Sequence, residues 1–306
     1  MLILSLLVHP VADAADNPAT GRAEVGVRGM TLTGRALNAP AWGVETRQRL
    51  ETDLEIAKAV FAVAPQREDS WIWLGRRYGY LGHYEDAIAV FTAGLERFPD
   101  SYKLHRFRGR HRARNRDFAG AIEDYRLGLE KMRGVPDTFE PDGIPNARRL
   151  TISTYRSNLH YYLGQTSFAT GDFQAMVEHL DASLASPIAL NIDDHRIAVT
   201  FWKYLALRKL ARDAEASALL NALPNEPTLI ENDSYLAAVQ VFELGEPLPD
   251  GADSLSRFAA GMDALMAGDR KRGVELLDAV VNQSALGYWP AEAELIRLRA
   301  GGADAM

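Results

Sequence analysis

Seven of the chain's 34 basic residues crowd between Ser101 and Asp117. They are Lys103, Arg106, Arg108, Arg110, Arg112, Arg114 and Arg116, set against the single acid Asp117. Arg106, Arg110 and Arg114 are spaced by four, so on a helix they stack along one face. Like charges at that spacing cost a helix about 0.2–0.5 kcal/mol per pair, so the pattern asks for an anionic counterpart. The planar guanidinium fork suits a carboxylate or a phosphate. Two sources of that counterpart are open. One is a ligand; the other is the protein itself, because Asp137, Glu140 and Asp142 follow directly in a loop that could fold back across the run.

Other chemistry is thinly represented. Five of seven histidines, His105, His111, His160, His179 and His195, fall in the middle third, yet no pair has the His-x3-His or Glu-x2-His spacing of a helical metal site. His105 and His160 read instead as partly buried packing residues, and no metal is expected. With no cysteine in the chain, disulfides, thiol catalysis and thiolate metal sites are excluded. No Gly-x-Ser-x-Gly elbow nominates a nucleophile, and no glycine-rich phosphate cradle exists, since Gly301-Gly302 stands alone. No cofactor is expected and no catalytic residue can be assigned.

A net charge of -7 argues against a general nucleic-acid binder, which would need a basic domain to neutralise several phosphates. The one sustained apolar run, Met1 to Val8, is followed by Pro10 and by Ala12-Asp13-Ala14-Ala15, the small-residue spacing of a signal-peptide cleavage point. Residues 1–15 therefore read as a short export signal lacking its basic start. The expected location is periplasmic or secreted, with a cytoplasmic protein bearing a buried N-terminal strand as the alternative. No other segment reaches the roughly 18 apolar residues of a membrane span, so none is expected.

The elements that must position the arginines follow from a repeat. Trp71, Leu74, Gly75 and Tyr78 share one helix face, Gly82 makes a turn, Ala87 and Phe91 form the facing stripe of a second helix, and Pro99 closes the pair. Small Gly75 and Ala87 let the two backbones approach, and the rings fill the space around them. The markers recur as Gly109, Arg116, Ala121 with Tyr125; as Gly164, Gly171, Met176 with Leu180; and as Gly261, Gly268, Gly273 with Leu277. A degenerate unit keeps Ala211, Ala216 and Leu220 after a first helix carrying Phe201, Trp202 and Tyr204.

The chain thus divides into a possible signal at 1–15, an extended or disordered stretch at 16–44, and helical repeats over 45–300. Within the last, a capping helix spans 45–63 and repeats lie near 68–100, 102–133, 157–187, 197–223 and 254–284. A closing helix spans 290–299. Two inserts interrupt the period, 134–149 with Pro136, Pro141 and Pro145, and 225–253 with a helix over 234–244. Inserts in such arrays map to loops on one face, often the binding face.

These spacings resemble the tetratricopeptide repeat, which implies an all-α, right-handed α-solenoid of helix-turn-helix units. More closely, residues 50–299 resemble a group of bacterial exported proteins of this type. The residues that carry this likeness are Trp73 to Arg77, Arg106 to Arg110, Glu140 to Asn146, Asn158 with Tyr161, Glu231-Asn232, and Gly287-Tyr288 with Ala291 to Glu294. The resemblance places a concave groove on the first helix of each unit. Asp69, Ile72, Arg76, Gly79 and Tyr80 would line it in the first repeat, and Lys103, Arg106, Arg110, Ala113 and Arg114 in the second. Asn158, Tyr161, Gln165 and Phe168 would follow in the third, then the apolar Leu255, Phe258, Met262, Leu265 and Met266 in the last, covered by residues 234–244. The chaperone-binding branch wants Lys and Asn where this chain has Ile72 and Arg76, so chaperone docking is not expected.

The leading reading is a binding scaffold with a basic and aromatic groove, built from Arg76, Tyr80, Lys103, Arg106, Arg110, Arg114, Glu140, Asp142, Asn158 and Tyr161. Its ligand would be an acidic protein or peptide, or an anionic small molecule. The alternative is a helical-repeat enzyme or small-molecule binder whose pocket the insert 134–149 closes. A purely structural subunit would instead expose the apolar surface around Phe258 and Met262.

Overall fold

The computed structural model describes residues 29–185, 192–245, 248 and 251–303. The segment read as an export signal and residues 16–28 of the extended stretch lie outside them. Among the described residues the chain is all-α: thirteen helices and only two isolated bridges, Met30 with Ala36 and Phe139 with Thr154. They fall into two compact units.

The first unit holds residues 29–136 with 285–287. Its helices are α1 (Val44–Val63), α2 (Glu68–Tyr80), α3 (Tyr84–Arg97), α4 (Tyr102–Arg114) and α5 (Phe118–Lys131). Each packs on the next, and α2 also packs on α4. Ser101 starts α4 by accepting from the backbone N–H of Leu104, and Asp117 starts α5 by accepting from Gly120. These caps satisfy donors that a helix start leaves open. The core runs through Leu74, Ala87, Phe91, Leu104, Phe107, Ala121 and Tyr125, all buried.

The second unit holds residues 137–284 and 288–303 among those described. It comprises α6 (Tyr155–Thr170), α7 (Phe173–Ala185), α8 (Ile192–Lys209), α9 (Asp213–Asn221), α10 (Asp233–Leu244), α11 (Ser254–Met266), α12 (Arg270–Gln283) and α13 (Trp289–Ala303). A capping box between Thr154 and Ser157 opens α6. α8 begins at Ile192, ahead of the span 197–223 read for its repeat, and Asp193 and Asp194 lie in the first turn, where acids complement the helix dipole. The insert helix is α10, packed on α8 and α11. Phe258 and Met262 of α11 are fully buried, so they offer no exposed apolar surface. Rings of Phe168, Phe201, Trp202, Tyr235, Phe258 and Tyr288 pack within about 5–6 Å of one another there. Arg297 ties α13 to α6 by donating to the Phe168 carbonyl at 2.8 Å.

The turn position of the repeat is a backbone constraint. Gly82, Gly171 and Gly268 have φ of 79°, 79° and 88°, and Arg116 and Ala211, at the same marker position, have φ of 66° and 56°. Every unit turns through the left-handed region, whether or not the residue is glycine.

Candidate functional site

The arginine run forms α4, and its charges divide by face. Arg108 and Arg112 point to α5, where Asp124 is fully buried. Arg108 grips that carboxylate with both oxygens, Nη2 donating to Oδ1 at 2.7 Å and Nε to Oδ2 at 2.9 Å. Arg112 donates to Oδ2 at 3.0 Å, and His105 Nδ1 lies 2.9 Å from Oδ1. Burial pushes the Asp124 carboxyl up, but His105, Arg108 and Arg112 together outweigh it and hold it below the ordinary value. Asp124 was missed at the sequence level; its one signal is an acid on the inward stripe of α5 between Ala121 and Gly128.

Arg106, Arg110 and Arg114 lie on the other face of α4. Arg106 is 1% exposed with its guanidinium 4.9 Å from the Phe107 ring, whereas Arg110 and Arg114 are half-buried, Arg114 lying 5.8 Å over Tyr84. Lys103 is half-buried and pairs with Glu68 at 3.4 Å. Arg76 of α2 is 4% exposed and sits between the rings of Trp73 and Phe107, 4.5 Å from each. It donates to the Tyr80 hydroxyl through Nε at 3.3 Å and Nη2 at 3.2 Å. A desolvated cation–π contact of this kind is worth about 2 kcal/mol.

The remaining residues of the expected groove belong to the second unit. Glu140 is 5% exposed although it lies in a loop, its backbone N–H donating to the Ser153 carbonyl, and Asp142 is half-buried. Asn158 donates to Ser153 Oγ at 2.9 Å. Tyr161 is 2% exposed; its hydroxyl donates to Tyr235 at 3.0 Å, and Trp202 Nε1 donates to the same oxygen at 3.1 Å. Burial holds the Tyr161 phenol well above its ordinary range and pushes Tyr235 up to about 12, so both stay neutral. Asn146 of the insert donates to Glu231 Oε2 at 3.0 Å, and burial, with Asp142 and Asp194 adding repulsion, pushes Glu231 up to about 7. The buried Asp194 accepts from the backbone N–H groups of Ile230, Glu231 and Asn232, fixing that turn.

Three of the histidines, His111, His160 and His195, are packed and neutral. Burial lowers His111 well below its ordinary value, and its Nδ1 meets the Phe107 carbonyl at 2.7 Å. Burial also pushes His195 down to about 4, beside Ser183 Oγ at 2.9 Å. His160 is likewise held at about 4 by burial and by its neighbour His179, at 3.2 Å between Nδ1 atoms.

Gly75 and Gly79 show what brings α2 onto its neighbours. A Cβ at Gly75 would lie 2.5 Å from the Phe91 ring, and one at Gly79 only 1.8 Å from His111 Nε2. Residues 74–134, which span this pair of two-helix units, match the family model of the tetratricopeptide repeat. Residues 74–134 of this chain are therefore tetratricopeptide repeats. No curated protein matches it. Among solved structures, a tetratricopeptide repeat protein from Parabacteroides merdae is similar at 14% identity with a TM-score of 0.50, covering 83% of this chain and 93% of the other. YrrB, described as having an unusual peptide-binding site, is similar at 14% identity and a TM-score of 0.43, covering 75% and 92%. Cut9–Hcn1, a hetero-tetramer of the APC/C, is similar at 14% identity and a TM-score of 0.48; the match covers 80% of this chain but only 39% of the Cut9–Hcn1 chain. The likeness to the Parabacteroides merdae protein, at this identity, speaks for the fold alone. No described helix is long and apolar enough to cross a membrane.

Proposed function

We propose that this protein is a binding scaffold that holds an acidic segment of a partner protein along α4. Lys103, Arg110 and Arg114 are the contacting cations, and Arg76 and Arg106 are buried charges behind them. The observation that carries this reading is the division of α4. Asp124 engages Arg108, Arg112 and His105 on one face, which leaves the stripe at 106, 110 and 114 to define the other. The resemblance to tetratricopeptide repeats implies a binding groove on the first helix of each pair, and α4 is the first helix of its pair, which supports this reading.

The charge balance supports the same partner. In a protein of net charge -7, a local basic stripe attracts an acidic segment without making the whole surface adhesive to polyanions. Half-exposed ion pairs contribute about 0.2–1 kcal/mol each and are screened by salt, so three of them give modest, salt-sensitive affinity. The test is direct: a fluorescent glutamate-rich peptide is titrated against the protein at low and at physiological salt. Saturable binding that weakens with salt supports the reading. Binding that ignores salt, or none at either ionic strength, refutes it.

A further inference from the structure

The first unit contains a second surface, independent of the arginine face. A cavity of about 380 Å³ opens between α1 and α2, lined by Ile56, Ala57 and Val60 of α1 and by Ser70, Trp73 and Arg77 of α2. Ile56 and Val60 are 57% and 47% exposed, one helical turn apart on the same face. The rim carries both signs, with Arg77 paired to Asp53 at 3.4 Å and Arg67 and Asp69 at the other end.

The repeat itself shows what fits there. Pro65 and Pro99 close successive second helices 34 residues apart, and the same step carries Ala57 onto Phe91, Trp73 onto Phe107 and Arg77 onto His111. Those three downstream residues are what α2 covers: Gly75 abuts Phe91, Arg76 lies 4.5 Å over Phe107, and Gly79 abuts His111. One period upstream, the equivalent residues line the cavity. α1 is therefore the second helix of a pair, and among the described residues no helix precedes it.

We infer that the cavity between α1 and α2 is the seat of an amphipathic helix from a partner protein, taking the place that α2 takes on α3 and α4. The guest helix differs from α2 in one respect. Where α3 presents the large Phe91 to a glycine, α1 presents the small Ala57 to the cavity wall, so the guest carries a large apolar side chain at the position of Gly75.

The probe is a synthetic peptide of the α2 sequence, residues 68–80, which has two acids and two arginines and so does not sense the charge of α4. It is made with Gly75→Leu and with Gly75 retained, and each form is titrated against the full chain by fluorescence anisotropy. The Gly75→Leu peptide is expected to bind saturably and at least about tenfold more tightly than the glycine form. Ile56→Lys with Val60→Lys should abolish that binding, whereas Arg110→Glu with Arg114→Glu should leave it intact. Ala57→Phe, which restores the bulk of Phe91, should reverse the preference in favour of the glycine peptide. Circular dichroism checks that each variant retains its helices. No saturable binding, or equal affinity for both peptides in both Ala57 forms, overturns the assignment. So does a dimer in sedimentation that Ile56→Lys dissolves, which gives the seat to a second copy, or binding seen only after residues 1–28 are deleted, which gives it to the chain's own first residues.

Discussion

The Cβ that Gly79 lacks would lie 1.8 Å from Nε2 of His111, a ring fixed from its other side by the Phe107 carbonyl. The contact sets how closely α2 approaches α4. It also places Arg76 over the Phe107 ring. Gly79→Ala should therefore destabilise the protein by about 2–3 kcal/mol despite alanine's better helix propensity, because backbone or ring must shift. His111→Ala should restore much of that loss in the double variant. A double-mutant cycle by urea unfolding measures the coupling, and simple additivity would contradict the contact.

Asp124 is the buried carboxylate that makes the arginine run tolerable. Asp124→Asn strands Arg108 and Arg112 and should cost about 3–5 kcal/mol, as breaking a buried ion pair does. Since the folded carboxyl titrates below its ordinary value, its stabilisation is present above pH about 4 and is lost as pH falls through the folded value. The acid limb of a stability–pH profile should be shallower in the variant than in the parent.

His195 and Glu231 impose opposite slopes on the second unit. The unfolded His195 side chain takes a proton near pH 6.5 but the folded one only near 4, so stability falls by about 3 kcal/mol as pH drops across that window. His195→Gln should remove that share of the slope, leaving the one due to His160. Glu231, raised from 4.5 to about 7, acts the other way: its contribution is intact below pH 4.5 and is lost as pH rises through 7. Glu231→Gln, which can still accept from Asn146, should raise the melting temperature at pH 8 and leave it nearly unchanged at pH 4.5.

Ala211 turns through φ of 56° on an exposed surface. Ala211→Gly should stabilise the protein by about 0.5–1 kcal/mol, since relief of the left-handed strain exceeds the entropy that glycine adds to the unfolded chain. Thermal unfolding of the single variant checks it.

The repeat was legible because close packing dictates residue type: only glycine at 75 admits the Phe91 ring, so spacing alone revealed the helix pair. The turn was legible at Gly82, Gly171 and Gly268. At Arg116 and Ala211 side-chain type gave no sign, and only the period located it. The four-residue spacing of Arg106, Arg110 and Arg114 was equally plain. What burial does to the arginines was not, because long side chains with an apolar stem bury wherever neighbouring helices supply rings, as Trp73 and Phe107 do for Arg76. Asp124 was hidden for a related reason. An acid on an inward stripe is ordinary unless the cations that reach it lie one helix away.

The charge-reversal variant Arg110→Glu with Arg114→Glu, titrated calorimetrically with the glutamate-rich peptide, tests the arginine face most directly. Arg133→Glu, exposed beyond the end of α5, serves as the control for net charge. The expected result is affinity at least about tenfold weaker in the double variant, a shallower salt dependence, and no change from the control. Equal affinity for parent and double variant would contradict the proposal that α4 holds an acidic partner.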